Sequence, residues 1–291
     1  MREPSSQSAV VVGIDGSRSA RRAALWGLDE AVRRDIPLRL IYAVDPDAWP
    51  GTDPDADTRK LETAEIAVRE TATAIEATEK PVKIEAEVVP GRPVATLVRA
   101  SRSAELVCVG AVGLKHFARD RVGSTAAALA TSSHCPLAII GGQDATAAPE
   151  ISRIVAVADG SPERSAVLRR AMEEAQLRRA PLHALTTWQS YGHNADHRAI
   201  AEGNHRARAQ LDRSLDSWAR RYPDLDVQSV VVHGSILDYL ADDPGDHPGS
   251  AVLIIVDAGD RDDVAQLVGP AGHAALHRND YSVLIEGLQH L

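Results

Sequence analysis

Val10-Val11-Val12-Gly13-Ile14-Asp15-Gly16-Ser17 returns later in the chain as Ile154-Val155-Ala156-Val157-Ala158-Asp159-Gly160-Ser161. In both places an apolar run rich in β-branched residues stops at Asp-Gly-Ser, residue types that end strands and open helices. An amphipathic helical pattern follows each stop, and a Pro-Leu pair then opens a second apolar run (Pro37-Leu38, Pro181-Leu182). Val88-Val89-Pro90-Gly91 is echoed by Val231-Val232-His233-Gly234, Leu106–Gly110 by Leu253–Val256, and Leu137–Ile140 by Val283–Ile285. Landmarks that keep their order over a domain-length period signify a duplicated domain; solenoid repeats are much shorter.

Within the first copy, strands are expected at Val10–Asp15, Leu38–Val44, Val82–Val89, Leu106–Gly110 and Pro136–Gly141, with helices between them. Leu25, Leu28 and Val32 recur at helical spacing, as do Leu61, Ala64, Val68, Ala72 and Ile75, so each set is expected to line one helix face. Strands that alternate with helices imply an open parallel sheet covered on both faces. The fold class is therefore α/β, as two tandem five-stranded parallel sheets. Gly141–Glu150 lacks periodicity and reads as a linker. The domains are expected at residues 1–143 and 151–291.

Composition agrees with this plan and narrows function. Of 291 residues, 44 % are hydrophobic and only 3 % aromatic, so the core must be aliphatic, as buried parallel strands require. A formal net charge of −9 disfavours binding to nucleic acid or to an anionic membrane surface. No run is long and apolar enough to span a bilayer. Met1–Ser8 lacks an apolar signal core. Cys108 and Cys135 make neither a disulfide framework nor a zinc cluster. A soluble, reduced, cytoplasmic protein is expected.

Ligands of open parallel sheets bind at the carboxyl ends of strands, near the point where strand order reverses. Two segments suit that place. Gly13-Ile14-Asp15-Gly16-Ser17 ends the first strand, where Asp15 serves equally well as a ligand contact or as a strand-end and capping residue. Gly110-Ala111-Val112-Gly113 follows the fourth strand, and nine residues later Gly123-Ser124-Thr125 opens the helix Ala126–Thr131. Glycine permits close backbone approach, a helix N-terminus attracts an anion, and hydroxyls donate to phosphate oxygens. Lys115, His116, Arg119 and Arg121 add positive charge between them. The pattern is neither a Walker loop nor a dinucleotide fingerprint, since no Gly-Lys-Ser/Thr triplet closes it and it follows the fourth strand.

These segments resemble the universal stress protein family in its tandem form. The resemblance rests on Val11–Ser17, on Val89-Pro90-Gly91, and on Gly110-x2-Gly113-x9-Gly123-Ser124 followed by Ala130-x4-Cys135-Pro136-Leu137. It implies strand order 3-2-1-4-5 and bound ATP, with magnesium as a possible companion. It implies that Gly13 and Asp15 contact adenosine, that Ala43 lines the adenine pocket, and that Gly110 and Gly113 lie along ribose and phosphates. Gly123, Ser124 and Thr125 would hold the phosphates, joined by Arg121. It also implies an intramolecular pseudo-dimer of the two copies, a homodimer of the chain, a protein partner of unknown identity, and a role in stress or dormancy signalling.

The second copy departs from the pattern. Aligned on Pro136-Leu137 and Ser282-Val283, Gly110 falls opposite Val256, Gly113 opposite Gly259, Gly123 opposite Gly269 and Ser124 opposite Pro270. Asp257, Asp260, Asp262 and Asp263 stand where the first copy is basic. Carboxylates repel a triphosphate by roughly a kcal/mol each at surface dielectric. The second site is expected to bind no ATP, or to bind it weakly and only with a metal.

No other constellation competes strongly. His193 and His197 with Asp196 have metal-ligand spacing but no further ligand, in a segment (Trp188–Asn194) that reads as an exposed connection. Asp53, Asp55 and Asp57 lack the glycine and closing glutamate of a calcium loop. Trp26 and Trp218 read as packing or interface residues. No catalytic set emerges, and His116 is the sole local candidate base. The readings are an ATP-binding regulator, a slow ATPase, or a nucleotide-free scaffold.

Overall fold

Parallel strands cannot be joined by tight turns, so each strand is followed by a helical crossover. The computed structural model describes residues 8–45, 54–113, 122–142, 150–161, 165–189, 197–242, 251–272 and 281–287. The chain divides into two units between Pro149 and Glu150.

The first unit runs β1 (Ala9–Ile14), α1 (Arg18–Arg34), β2 (Leu38–Val44), α2 (Pro54–Glu76), β3 (Ile84–Pro90), α3 (Pro93–Ser101), β4 (Ala104–Gly110), α4 (Ser124–Ser132) and β5 (Leu137–Ile140). All pairings are parallel, in the order β3-β2-β1-β4-β5. Strand order reverses between β1 and β4, and ligands of open parallel sheets bind at the carboxyl ends of strands beside such a point. The aliphatic core is closely layered. Ala23, Ala24 and Ala31 of α1 are fully buried, and a Cβ on Gly27 would lie 3.0 Å from Val12 Cγ2. Helix α1 starts where the Ser17 hydroxyl accepts the Ala20 N–H, and stops at Asp35 in the left-handed region.

Strand positions follow the sequence expectation closely, but one helix face does not. On α2 the buried stripe is Ala64, Ala67, Thr71 and Ile75. Leu61, expected on that face, is 46 % exposed, because the helix presents a face rotated toward the smaller residues.

The second unit repeats the plan as β6 (Ile151–Val157), α5 (Ser165–Arg178), β7 (Leu182–Trp188), α6 (His197–Arg221), β8 (Val227–His233), α7 (Ile236–Asp242), β9 (Ala251–Asp257), α8 (Arg261–Val268) and β10 (Tyr281–Glu286). Its strands are also parallel, in the order β8-β7-β6-β9-β10. The duplication extends to buried charge. Glu30 is wholly buried and bonds Arg34 four residues on, and Glu174 does the same with Arg178.

Register corrects the alignment of the copies. Val10 pairs with Leu106, and Ile154 pairs with Leu253. Gly110 then pairs with Ile140, and Asp257 with Glu286. The counterpart of Gly110 is therefore Asp257, not Val256, which is fully buried within β9. The second copy's loop is one residue shorter, so an alignment anchored beyond the loop slips by one before it.

Candidate functional site

The carboxyl ends of β1 and β4 and the start of α4 meet in the first unit. Asp15 follows β1 and is half-buried. Its Oδ1 accepts the Ser17 N–H at 2.9 Å. Its Oδ2 faces the β4 loop, only 2.8 Å from where a Cβ on Gly113 would stand. The N–H of Gly123 donates to the Ala111 carbonyl at 2.7 Å. A Cβ on Gly123 would lie 3.5 Å from both Ala111 O and Gly113 N. Asp15, Gly113 and Gly123 thus surround one crevice. Ala43 lies on β2, one position beyond the Ile14–Tyr42 pair.

Helix α4 opens on Gly123 with no side-chain cap, Ser124 exposed and Thr125 half-buried. A helix N-terminus carries backbone N–H groups and the positive end of the helix dipole, the features an anion site uses. Arg121, with Lys115, His116 and Arg119, lies outside the described residues.

Two predicted ligand glycines have a packing reason as well. A Cβ on Gly13 would meet Leu97 Cδ1 of α3 at 2.7 Å. A Cβ on Gly110 would meet Ser19 Oγ at 2.4 Å and the Ala20 backbone N at 2.8 Å, inside the first turn of α1. Both glycines therefore let a helix approach the sheet.

Sequence reading missed Ser19 and Tyr42. Ser19 Oγ accepts the Val112 N–H at 3.3 Å and lies 3.5 Å from the Ile140 carbonyl, tying α1 to the β4 loop and to β5. Its partners are 93 and 121 residues away, so no local pattern marks it. Tyr42 lies two residues before the end of β2, paired with Ile14 and within the electrostatic reach of Asp15. Burial, and secondarily the Asp15 carboxylate, hold its phenol above the usual value of 10.0. Since the folded state favours the neutral phenol, the Tyr42 contribution to stability is complete below the ordinary tyrosine range. It is lost as pH rises through the elevated folded value. Urea unfolding above pH ~10 should therefore weaken the parent chain more steeply than Tyr42→Phe, with tyrosinate absorbance appearing later for Tyr42 than for a free phenol.

The second unit uses the same region differently. Asp257 Oδ1 accepts the Gly259 N–H at 2.7 Å. Asp260 caps α8 by accepting the Asp263 N–H at 3.2 Å, with Asp262 and Asp263 in the first turn. Pro270 begins a helical turn after Gly269, where Ser124 begins α4. Trp188, expected in an exposed connection, instead ends β7 and is half-buried against α6. Its indole has a planar packing partner and a hydrogen-bond acceptor, which an unstructured connection would not supply.

Other readings settle similarly. His197 begins α6, while His193, Asp196 and Asp53 lie outside the described residues. Trp26 is buried on α1, and Trp218 of α6 stacks on Tyr222, just past the helix end. A cavity of about 220 Å³ in the second unit is floored by Met172, Leu215 and Val227. Val227 opens β8, so this cavity sits at the amino end of that strand, away from the crevice. Among the described residues, no helix is long and apolar enough to cross a membrane.

Comparison with known proteins agrees with this architecture. The sequence model described as "Universal stress protein family" matches residues 8–141 and again residues 150–242. A universal stress protein of Mycobacterium tuberculosis is 45 % identical over 292 residues, covering all of both chains. Another from the same species is 38 % identical over 283 residues, 97 % of each. In fold, the chain is similar to the crystal structure of a universal stress protein from Archaeoglobus fulgidus, with a TM-score of 0.68 over 96 % of both chains at 15 % identity. Both repeats match the family separately, the relatives align from end to end, and the strand order is the one the resemblance implied: the chain belongs to the universal stress protein family.

Proposed function

We propose that this chain is an ATP-binding regulator of the stress response, with its nucleotide site in the first unit and a second unit that takes ATP weakly or not at all. The observation that carries this reading is the convergence of Gly113 and Gly123, at the start of α4, beside Asp15. The phosphates would lie on the N–H groups and hydroxyls of Ser124 and Thr125. Arg121 and its basic neighbours, by sequence position, add charge to the same loop. Asp15 is an acceptor close to Gly113, so its partner on the ligand is a donor: a ribose hydroxyl, a base amine, or a magnesium ion shared with the phosphates. Gly110 and Gly13 serve the site by letting α1 and α3 close on the strand ends, and Ala43 leaves room for the base beside β2.

The contrast with the second unit supports one site per chain. There Asp257 replaces Gly110, Pro270 replaces Ser124, and aspartates occupy the loop's own N–H groups. ATP in such a loop would meet carboxylates that repel its phosphates. Nucleotide occupancy and its effect on partners or self-assembly carry the function in this reading, with hydrolysis at most slow.

Titration calorimetry of the full chain with Mg-ATP tests the reading. One site per chain is expected. Gly113→Ala, which drives a methyl into Asp15 Oδ2, should weaken ATP by at least tenfold, about 1.4 kcal/mol, while leaving unfolding by urea nearly unchanged. Absence of measurable ATP affinity in the parent chain, or two equivalent sites, would overturn it.

A further inference from the structure

Each unit has a seven-residue strand with a strand neighbour on one side only among the described residues: β3 beside β2, and β8 beside β7. Inner strands β1 and β9 are buried along most of their length, whereas no residue of β3 or β8 is buried. An edge of this kind offers backbone N–H and C=O groups to another strand.

The two edges carry opposite charge at their ends. Lys83 precedes β3 and Arg92 follows it after Gly91, both exposed. Asp226 precedes β8 and Asp238 follows it on α7, both exposed. The Asp238 carboxylate is fixed there, its Oδ2 accepting the Ser235 N–H at 2.7 Å. Within β3, Glu85 and Glu87 are held by Lys83 and Arg39 at 2.7 and 2.6 Å, while β8 contains no Asp, Glu, Lys or Arg. Antiparallel pairing of two β3 strands would bring Lys83 to Arg92, and of two β8 strands Asp226 to Asp238. Pairing β3 with β8 joins opposite charges at both ends, and the flanking helices choose the direction.

Crossovers in parallel sheets are right-handed, so antiparallel pairing of β3 with β8 of another copy sets α2 and α6 side by side on one face. Parallel pairing sets them on opposite faces. On α2, Glu70 turns toward α1, where it meets Arg21 at 3.0 Å. Leu61 precedes it by about two and a half turns, which places it on the other side of the helix, toward the β3 edge. There it is 46 % exposed. On α6, Arg208 Nη1 donates to Ser229 Oγ at 3.3 Å, which marks the side of the helix that lies over β8. The cavity of about 220 Å³ lies between the next turns of α6, with Asp212, Leu215 and Asp216, and Val227 and Ser229 of β8. Fully buried Met172 of α5 completes its lining. Antiparallel packing sets Leu61, near the start of α2, against these last turns of α6.

We propose that the β3 edge of one copy pairs antiparallel with the β8 edge of a second copy of this chain, with Leu61 seated in the second copy's cavity. The contact is head to tail, so it closes into a ring or continues as a chain. Arg92 against Asp226 and Lys83 against Asp238 select this pairing over a like edge and steer docking. None of the residues assigned to ATP takes part.

Sedimentation of the full chain over a range of concentration and salt, without nucleotide, tests the proposal. The parent should associate reversibly, and less tightly at high salt. Arg92→Asp and Asp226→Arg each set like charges together at one end of the paired strands, and each should weaken association at least tenfold. An equimolar mixture of the two should associate as tightly as the parent, because each altered end then meets its complement. Leu61→Asp, which brings a carboxylate to Asp212 and Asp216, should also weaken association at least tenfold. All three side chains are exposed, and urea unfolding checks that each variant keeps the parent's fold. Should Leu61→Asp unfold, the charge variants decide. A parent that stays monomeric throughout, single variants that associate like the parent, or a mixture no tighter than its components overturns the proposal. ATP affinity is read in a separate titration, so failure of the proposed function leaves this result untouched.

Discussion

Replacing Ser124 with proline should lower the affinity for ATP by roughly a hundredfold or more and leave the folded state almost untouched. The two effects separate because of where Ser124 sits. It is the first residue of α4, where proline's fixed φ suits the helix and its missing N–H breaks no intrahelical bond. The residue before a proline must be extended, and Gly123 already is, at φ −55° and ψ 142°. The second unit makes the same choice, with Pro270 after Gly269. A bound phosphate would lose one backbone donor and one hydroxyl. Hydrogen bonds to charged groups are worth about 1.5–3 kcal/mol each, and 1.4 kcal/mol is about tenfold in affinity. Calorimetric titration measures the affinity and urea unfolding the stability. A Ser124→Pro chain that binds ATP as tightly as the parent would remove α4 from the site.

The second large effect is on stability. Gly110→Val should cost about 3 kcal/mol even without nucleotide. A Cβ at position 110 would stand 2.5 Å from the Ser19 carbonyl carbon and 2.8 Å from the Ala20 N, which are backbone atoms of a capped helix. They cannot yield as a side chain would, so the cost sits at the upper end of the 1–3 kcal/mol typical of overpacking. Urea unfolding of the nucleotide-free protein measures it. If valine were tolerated there and only ATP affinity fell, Gly110 would be a ligand contact alone.

Much of this molecule is legible in its sequence. The strands could be read because buried parallel strands are short apolar runs bounded by glycine, proline and aspartate, as at Val10–Ser17 and Leu38–Val44. The glycine-rich loop could be read because its spacing follows a strand and precedes a helix. What escaped depends on distance or on direction. Ser19 bonds groups far along the chain. Leu61 matches a helical period, but period alone does not say which of two adjacent stripes meets the sheet. The equivalence of Gly110 with Asp257 needs hydrogen-bond register, because one residue is missing from a loop and the flanking runs look alike. Trp188 looked exposed because its packing partners, Gly203, Asn204 and His233, lie across a helix and a neighbouring strand.

The aspartates at 257 and 260 have a consequence beyond repelling phosphate. By satisfying the N–H groups of Gly259 and Asp263, they make the second unit's loop self-sufficient. The first unit's α4 opens on a glycine, which has no side chain for that role. By linkage, a ligand that binds only the folded form stabilises it by RT ln(1 + [L]/Kd), about 2.7 kcal/mol at a hundredfold excess over Kd. One half of the chain would then have a fixed melting point, while the other's follows nucleotide supply. A cell short of ATP would feel the difference as a half-softened protein, exposed to proteases and partners along its first domain only.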